Sequence, residues 1–428
     1  MTRSNVAWIG YTRSMRVVAL VLVVAAAAAV SATPATAARD IKFGIQDDAW
    51  LEGGPGRLRD RVQTLKDLGL DIVRVTLYWN EMEPSPGDFD WRRSDRLLRA
   101  LDRQGMETLV TLWGTPGWAS QSGSPNSVPV RGADFRRFAQ AVAERYPFVD
   151  SWLIWNEPNK AAWLRPVSPS GYVTRLLNPG YLGIKAANPL ARVAGGVTAP
   201  RGGSGGMSPV GFLRGMDRAG ARLDAYAHHP YPIYPGATPY SGGCGGCKTV
   251  TMATLEVLLR EVGRAFPRAK VWLTEYGYQT NPPDPFGVDP AQQALFLAQA
   301  SQRTYAAPKV EILIQYLFRD EPDLGRWQSG LETVRGRPKP ALNATMLPLV
   351  QVSRQGTRTT LWGQVRPGSG SQLYVLQTWR NGAWVGIGGL RSTSSRGFLT
   401  RTVTAAKRTQ LRLWYPARRI ASPTLVLR

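Results

Sequence analysis

Histidine and cysteine are scarce in this chain of 428 residues, which has two of each. That scarcity leaves little for metal chemistry. Cys244 and Cys247 enclose two glycines, and His228 and His229 are adjacent. A structural zinc needs four converging ligands, and neighbouring histidines rarely both reach one ion. No further ligand pattern is visible, so neither a metal nor an organic cofactor is expected. No thioredoxin-like unit surrounds the cysteines, and a local disulfide is their expected state in an oxidising compartment. No glycine-rich phosphate loop follows the first strand, so an open nucleotide-binding sheet lacks support. Beyond residue 30 no apolar run is long enough to span a bilayer. Acidic residues disappear from Val350 onward, where thirteen Lys and Arg stand without one Asp or Glu.

What is present begins with a leader. Arg13 and Arg16 precede an apolar run over residues 17–30, and Ala35-Thr36-Ala37 offers a small-residue cleavage site. Residues 1–37 therefore read as a secretory signal peptide, and the protein is expected to be secreted or associated with the cell surface. The formal charge is +23. Export argues against nucleic acid as the partner of so basic a chain. An anionic cell-envelope polymer, reached through the basic C-terminal segment, an acidic glycan or a membrane surface is the candidate, with plain solvation of the arginines as the alternative.

Apolar runs of strand length then alternate with helical periodicity eight times. Strands are predicted at residues 41–45, 72–77, 108–113, 149–155, 192–197, 223–228, 271–275 and 310–317. Helices are predicted at 57–68, 93–104, 133–146, 172–187, 210–218, 251–266, 290–305 and 340–347, the fourth interrupted at Asn178-Pro179. Continuously apolar strands indicate a parallel sheet buried on both faces. Its natural closure is a (β/α)8 TIM barrel over residues 38–349. From residue 350 to 428 the pattern becomes short alternating strands with a hairpin at Asn381-Gly382. A small all-β, immunoglobulin-like sandwich is expected there, joined through residues 348–356.

Two strands deliver a glutamate to their C-terminal ends. Trp152-Leu153-Ile154-Trp155 runs into Asn156-Glu157-Pro158-Asn159, and Val271-Trp272-Leu273-Thr274 runs into Glu275-Tyr276-Gly277. Pro158 biases Glu157 toward an extended backbone. In such barrels functional groups sit at these strand ends. Paired carboxyls there suit glycosidic cleavage, which needs a proton donor and a nucleophile or base. Glu157, beside Trp155 and an apolar strand, should have a raised pKa, while Tyr276 could help keep Glu275 ionised. Arg74 lies inside the second strand, where a cation needs a carboxylate partner. Trp79, Trp113, Trp118 and Trp163 follow strand ends and suit either sugar stacking or core packing. Glu81 and Glu83 either contact sugar hydroxyls or are solvated.

The two glutamate motifs resemble those of glycoside hydrolase clan A, closest in look to family 39 and family 5-like enzymes. The resemblance covers roughly residues 41–347. It implies a retaining hydrolase acting on a polysaccharide or oligosaccharide, with Glu157 as acid/base and Glu275 as nucleophile. It implies that Asn156 bonds the sugar 2-hydroxyl and that Arg74 lies near the nucleophile. In His229-Pro230-Tyr231 the tyrosine would bond the nucleophile and the histidine would face the sugar. One departure concerns the eighth strand, where many clan members carry a tryptophan and this chain offers Tyr316 or Phe318. A non-catalytic glycan-binding or envelope-adhesion protein on the same scaffold is the alternative reading.

Overall fold

The computed structural model describes residues 40–243 and 248–428. The predicted leader and the Cys244–Cys247 pair lie outside the described residues. Among those described, eight parallel strands close into a barrel. They are β1 (Lys42–Gln46), β2 (Ile72–Tyr78), β3 (Glu107–Trp113), β4 (Ser151–Ile154), β5 (Arg192–Thr198), β6 (Ala225–His228), β7 (Lys270–Tyr276) and β8 (Val310–Tyr316). Closure is direct, since β1 pairs with both β2 and β8.

Side chains alternate along a strand, so residues two apart share a face. Ile72, Leu109, Leu153, Ala225, Ala227, Trp272, Ile312 and Ile314 form an apolar plug inside the barrel. The other parity packs outward against helices such as Leu58–Asp67, Arg92–Arg103 and Gly132–Arg145, whose apolar faces complete the main core. The interruption expected at Asn178-Pro179 is not a break. Helix Pro169–Tyr172 continues through a π-turn, Val173–Leu177, into helix Asn178–Ala187. Pro179 follows the π-turn directly, where it cannot donate the backbone bond that another residue would make and where the wider turn takes up its ring.

The C-terminal part is all-β. Strands β9 (Leu349–Gln355), β10 (Arg358–Gln364), β11 (Leu373–Arg380), β12 (Ala383–Ser392), β13 (Phe398–Thr404), β14 (Gln410–Tyr415), β15 (Ile420–Ala421) and β16 (Leu425–Val426) form two antiparallel sheets. One has the order β13-β10-β9, and the other β12-β11-β14-β15 with β16 also on β14. The stretch predicted as a junction is therefore strand β9, paired along most of β10.

The sandwich is fastened to the N-terminal end of the barrel. Arg366 is buried, its guanidinium lies 3.9 Å from the Phe43 ring centre, and it donates to Thr345 O at 2.7 Å and Ser301 Oγ at 2.8 Å. Arg396 donates to Ile41 O at 2.9 Å. Gly69 has φ 75° and lies so close to the Arg366 carbonyl that a Cβ would sit 2.4 Å from its oxygen. Tyr305 packs at a tilt against Trp362 and Phe398 across the seam. Among the described residues, the C-terminal ends of the barrel strands stay free of the sandwich, apart from Arg428, which shares a hollow with the loops after β6 and β7.

Candidate active site

On several strands the inward series changes from apolar to polar as it climbs toward that free end. On β2 it reads Ile72, Arg74, Thr76, Tyr78, and on β3 Leu109, Thr111, Trp113. Ile72 and Leu109 belong to the plug, whereas Arg74, Thr76, Tyr78 and Trp113 line a cleft of about 840 Å³. Asn156, Glu157, Tyr231, Glu275 and Tyr316 line the same cleft.

Arg74 organises the floor. It is 1% exposed and its guanidinium is almost fully engaged. Nη1 donates to Glu275 Oε1 at 2.6 Å and to Thr274 O at 2.9 Å. Nη2 donates to Asn156 Oδ1 at 2.9 Å, and Nε to Thr111 Oγ1 at 2.9 Å. With its oxygen held by a cation, Asn156 presents its NH2 as the free donor. Glu275 reaches the cleft because the β7–β8 register shifts between Leu273 and Tyr276. Such an irregularity re-aims a side chain that regular alternation would send outward.

Tyr231 donates its hydroxyl to Glu275 Oε2 at 3.1 Å. Burial, reinforced by the Glu275 charge, holds that hydroxyl well above the usual phenol range, so it stays a donor. This corrects the expectation for Tyr276, whose hydroxyl donates to Tyr278 on the outer side of the strand.

His229 does not face the cleft. It is fully buried behind the two carboxyls and is not among the cleft-lining residues. Its Nδ1 lies 3.1 Å from Glu157 Oε1 and 3.5 Å from Glu275 Oε2. Its Nε2 lies 3.1 Å from Thr274 Oγ1 and 3.4 Å from Arg74 Nη1. Burial lowers its pKa to about 3, so the ring is neutral at ordinary pH. Arg74 can only donate, which makes Nε2 the acceptor and places the single N–H on Nδ1, toward the carboxyls. His229 therefore positions the glutamates rather than meeting a ligand. His228 points the other way, bonding Thr198 and Val250 O.

Glu157 lies in the turn after β4 with φ 40°, a left-handed backbone instead of the extended one expected before proline. Its N–H donates to Val197 O at 2.9 Å. Burial raises its carboxyl above the usual range, and Lys160, 3.4 Å from Oε2, opposes that rise. Glu157, His229 and Glu275 each offer a ligand atom, all within 4.8 Å of one another. A metal ion there would be repelled by Arg74 and Lys160, which already supply positive charge.

The tryptophans divide. Trp113 and Trp163 line the cleft and meet edge to face at 5.6 Å. Trp79 does not belong to the site. It continues the outward parity of β2, is fully buried, and packs between Phe135 and Phe138 while its indole N–H donates to Glu83 at 2.6 Å. Glu83 is thus a structural acceptor. Trp118 likewise donates to Glu83 O and packs edge-on against Trp79. At the β8 end Tyr316 faces the cleft, while Phe318 is buried against Trp50. An indole at this rim comes instead from Trp327, which packs on Tyr231 at 5.0 Å and Tyr316 at 5.7 Å. Trp327 lies in a long loop and no periodicity marked it. Asp48, Thr76, Tyr78, Lys160 and Arg201 also line the cleft, and of these strand parity marks Thr76 and Tyr78 alone.

No protein-family model matches the chain, and no curated protein sequence matches it. Solved structures do. A family 39 glycoside hydrolase from Bacteroides cellulosilyticus WH2 superposes with a TM-score of 0.61 at 19% identity, over 85% of this chain and 79% of that one. A monomeric β-xylosidase from Caulobacter crescentus CB15 gives 0.57 at 16% identity, over 86% and 94%. A family 39 enzyme from Xanthomonas axonopodis pv. citri gives 0.57 at 15% identity, over 91% and 94%. The barrel with its appended β domain is a fold shared with these glycoside hydrolases.

Proposed function

We propose that this protein is a glycoside hydrolase that cleaves a poly- or oligosaccharide with retention of anomeric configuration. The observation that carries the reading is the carboxyl pair. Oxygens of Glu157 and Glu275 approach within 4.8 Å across one cleft. Retaining pairs lie about 5–5.5 Å apart, whereas inverting pairs need roughly 6.5–9.5 Å to admit a water. The shared fold adds support without naming a sugar.

The environments divide the labour. Glu157, buried and raised in pKa, is suited to hold a proton. Glu275, paired with Arg74 and bonded by Tyr231, is suited to act as a carboxylate nucleophile. In the first step a Glu275 oxygen bonds the anomeric carbon as the bond to the leaving oxygen breaks, and that oxygen takes the Glu157 proton. In the second, water attacks the same carbon, Glu157 accepts its proton, and Glu275 departs. The Asn156 NH2 is placed to bond a sugar hydroxyl, and Trp113, Trp163 and Trp327 to stack on ring faces. The leader at residues 1–37 supports action outside the cytoplasm. The acid-free stretch from residue 350 supports contact with an anionic envelope polymer.

The test is turnover of aryl glycosides and polysaccharides, with the first-formed anomer read by NMR. Glu157→Ala should lose about 10²–10⁴ in rate on glycosides with poor leaving groups and much less on dinitrophenyl glycosides. Equal impairment of both would remove Glu157 from the acid role. Binding of glycans without new reducing ends would overturn the catalytic reading.

A further inference from the structure

On the sandwich, the sheet face turned away from its core carries an aromatic and cationic surface unconnected with the cleft. Along β11, Tyr374, Leu376 and Thr378 are buried, so Val375, Gln377 and Trp379 take the opposite, outer face. Strand register sets Trp384 opposite Trp379, Arg412 opposite Gln377, and Trp414 opposite Val375. Arg412 lies between two indoles, 4.4 Å from the Trp384 ring centre and 5.6 Å from that of Trp414. Its Nε donates to Gln377 Oε1 at 2.7 Å. Its two terminal nitrogens have no hydrogen-bond partner among the described residues. Trp379 is 43% exposed and meets Trp384 edge to face at 5.4 Å. Gly386, opposite Gln377, adds no side chain beside them.

We propose that this face, built on Trp384, Arg412, Trp414 and Trp379, binds an acidic polysaccharide, its rings on the indoles and a carboxylate on Arg412. Indoles offer flat apolar surface to the C–H face of a pyranose ring. A guanidinium held by stacking and by Gln377, with its outer N–H groups free, matches a carboxylate fork. The thirteen Lys and Arg without an acid from Val350 onward draw a polyanion toward this part of the molecule. Single-stranded nucleic acid also stacks on aromatics, but it needs a row of cations tracking its phosphates, and among the described residues the outward positions within β11, β12 and β14 carry Arg412 alone. The sandwich grips the barrel near Ile41, Phe43 and Gly69, at the end opposite the cleft, so the surface is a separate site.

The test is native affinity electrophoresis of the full chain in gels containing polygalacturonate, dextran or oligo(dT). Polygalacturonate should retard the protein, less so as salt rises, and dextran should not. Trp384→Ala and Arg412→Gln should each weaken that retardation by about tenfold. Trp379→Ser, at an exposed position, serves as a third variant should either misfold, with melting temperature as the control. The proposal is overturned by retardation unchanged in the folded variants, by none in polygalacturonate, or by stronger retardation in dextran or oligo(dT).

Discussion

Acid should weaken this fold through its buried histidines, and His228 isolates the effect. The ring is fully buried, with Nδ1 2.9 Å from Thr198 Oγ1 and Nε2 3.0 Å from Val250 O. Burial lowers its pKa from 6.5 to about 3. Between those values the unfolded chain binds a proton that the folded chain refuses, so stability falls as pH falls. The slope is about 1.4 kcal/mol per pH unit, or roughly 3 kcal/mol between pH 6 and pH 4. That is a large share of a typical net stability of about 5–15 kcal/mol. The raw pH curve would hide it, because Asp47 acts with the opposite sign. Burial raises that carboxyl to about 6, so the folded chain holds the extra proton and loses that stability as pH rises from 3.8 through about 6. Comparison with His228→Gln cancels such shared contributions. The variant should be less stable at pH 7, by about 1–3 kcal/mol for an imperfectly bonded buried group. Urea denaturation should then show the gap closing by roughly 3 kcal/mol on acidification to pH 4. A gap that stays constant would mean that His228 protonates freely in the folded state, and the burial argument would fail.

Three further outcomes follow from the same contacts. Tyr231→Phe removes a hydrogen bond to the Glu275 carboxylate, a type worth about 1.5–3 kcal/mol, so kcat should fall roughly 10–100-fold with KM little changed. Unchanged kcat on aryl glycosides would detach Tyr231 from the reaction. Lys160→Met deletes the cation 3.4 Å from Glu157 Oε2. The Glu157 carboxyl should rise further, and the basic limb of the kcat/KM profile should move to higher pH, whereas movement to lower pH would contradict the acid assignment. Trp79→Ala should cost about 3–5 kcal/mol of stability in thermal or urea denaturation and leave KM unaltered. A raised KM with unaltered stability would return Trp79 to the cleft.

Trp79 also shows what a sequence can and cannot convey. The eight barrel strands were legible because each is an apolar run ended by turn residues, and all eight lie within a few residues of their expected places. The two glutamates were legible as strand-end carboxyls. Trp79 and Trp113 look alike by that rule, since both follow apolar strands. Strand parity separates them: Trp113 shares a face with Leu109 and Thr111, whereas Trp79 shares one with Val73, Val75 and Leu77. The same counting sends His229 inward with Ala225 and Ala227, and His228 outward. It does not show that Glu157 and Glu275 stand between His229 and the cleft. It also fails at Glu275, where the β7–β8 irregularity interrupts alternation. Trp327 arrives on a loop with no period at all.

The backbone at Glu157 is the place where local preference and tertiary structure conflict outright. Proline at 158 favours an extended residue before it, yet Glu157 has φ 40°, with Trp155 at 75° and Val197 at 43°. Non-glycine residues in that region cost on the order of 1–3 kcal/mol each and persist only where their surroundings overdetermine them. Here the surroundings do. Trp155 N–H donates to Leu112 O at 2.9 Å and Glu157 N–H to Val197 O at 2.9 Å, so two strained residues are tied to the strands on either side. The Trp155 indole donates to Trp163 O at 2.7 Å, and Asn159 bonds Ala199 N at 2.8 Å and Met207 O at 3.1 Å. An extended Glu157 would turn its N–H away from Val197 and carry its carboxyl off the line to His229 and Glu275. The strain thus gathers in the turn that sets the distance between the two carboxyls and at Val197 beside it, and the bonds that hold it come from β3, from β5 and the loop after it, and from Trp163 farther along the β4 loop, which no reading of the five-residue motif alone contains.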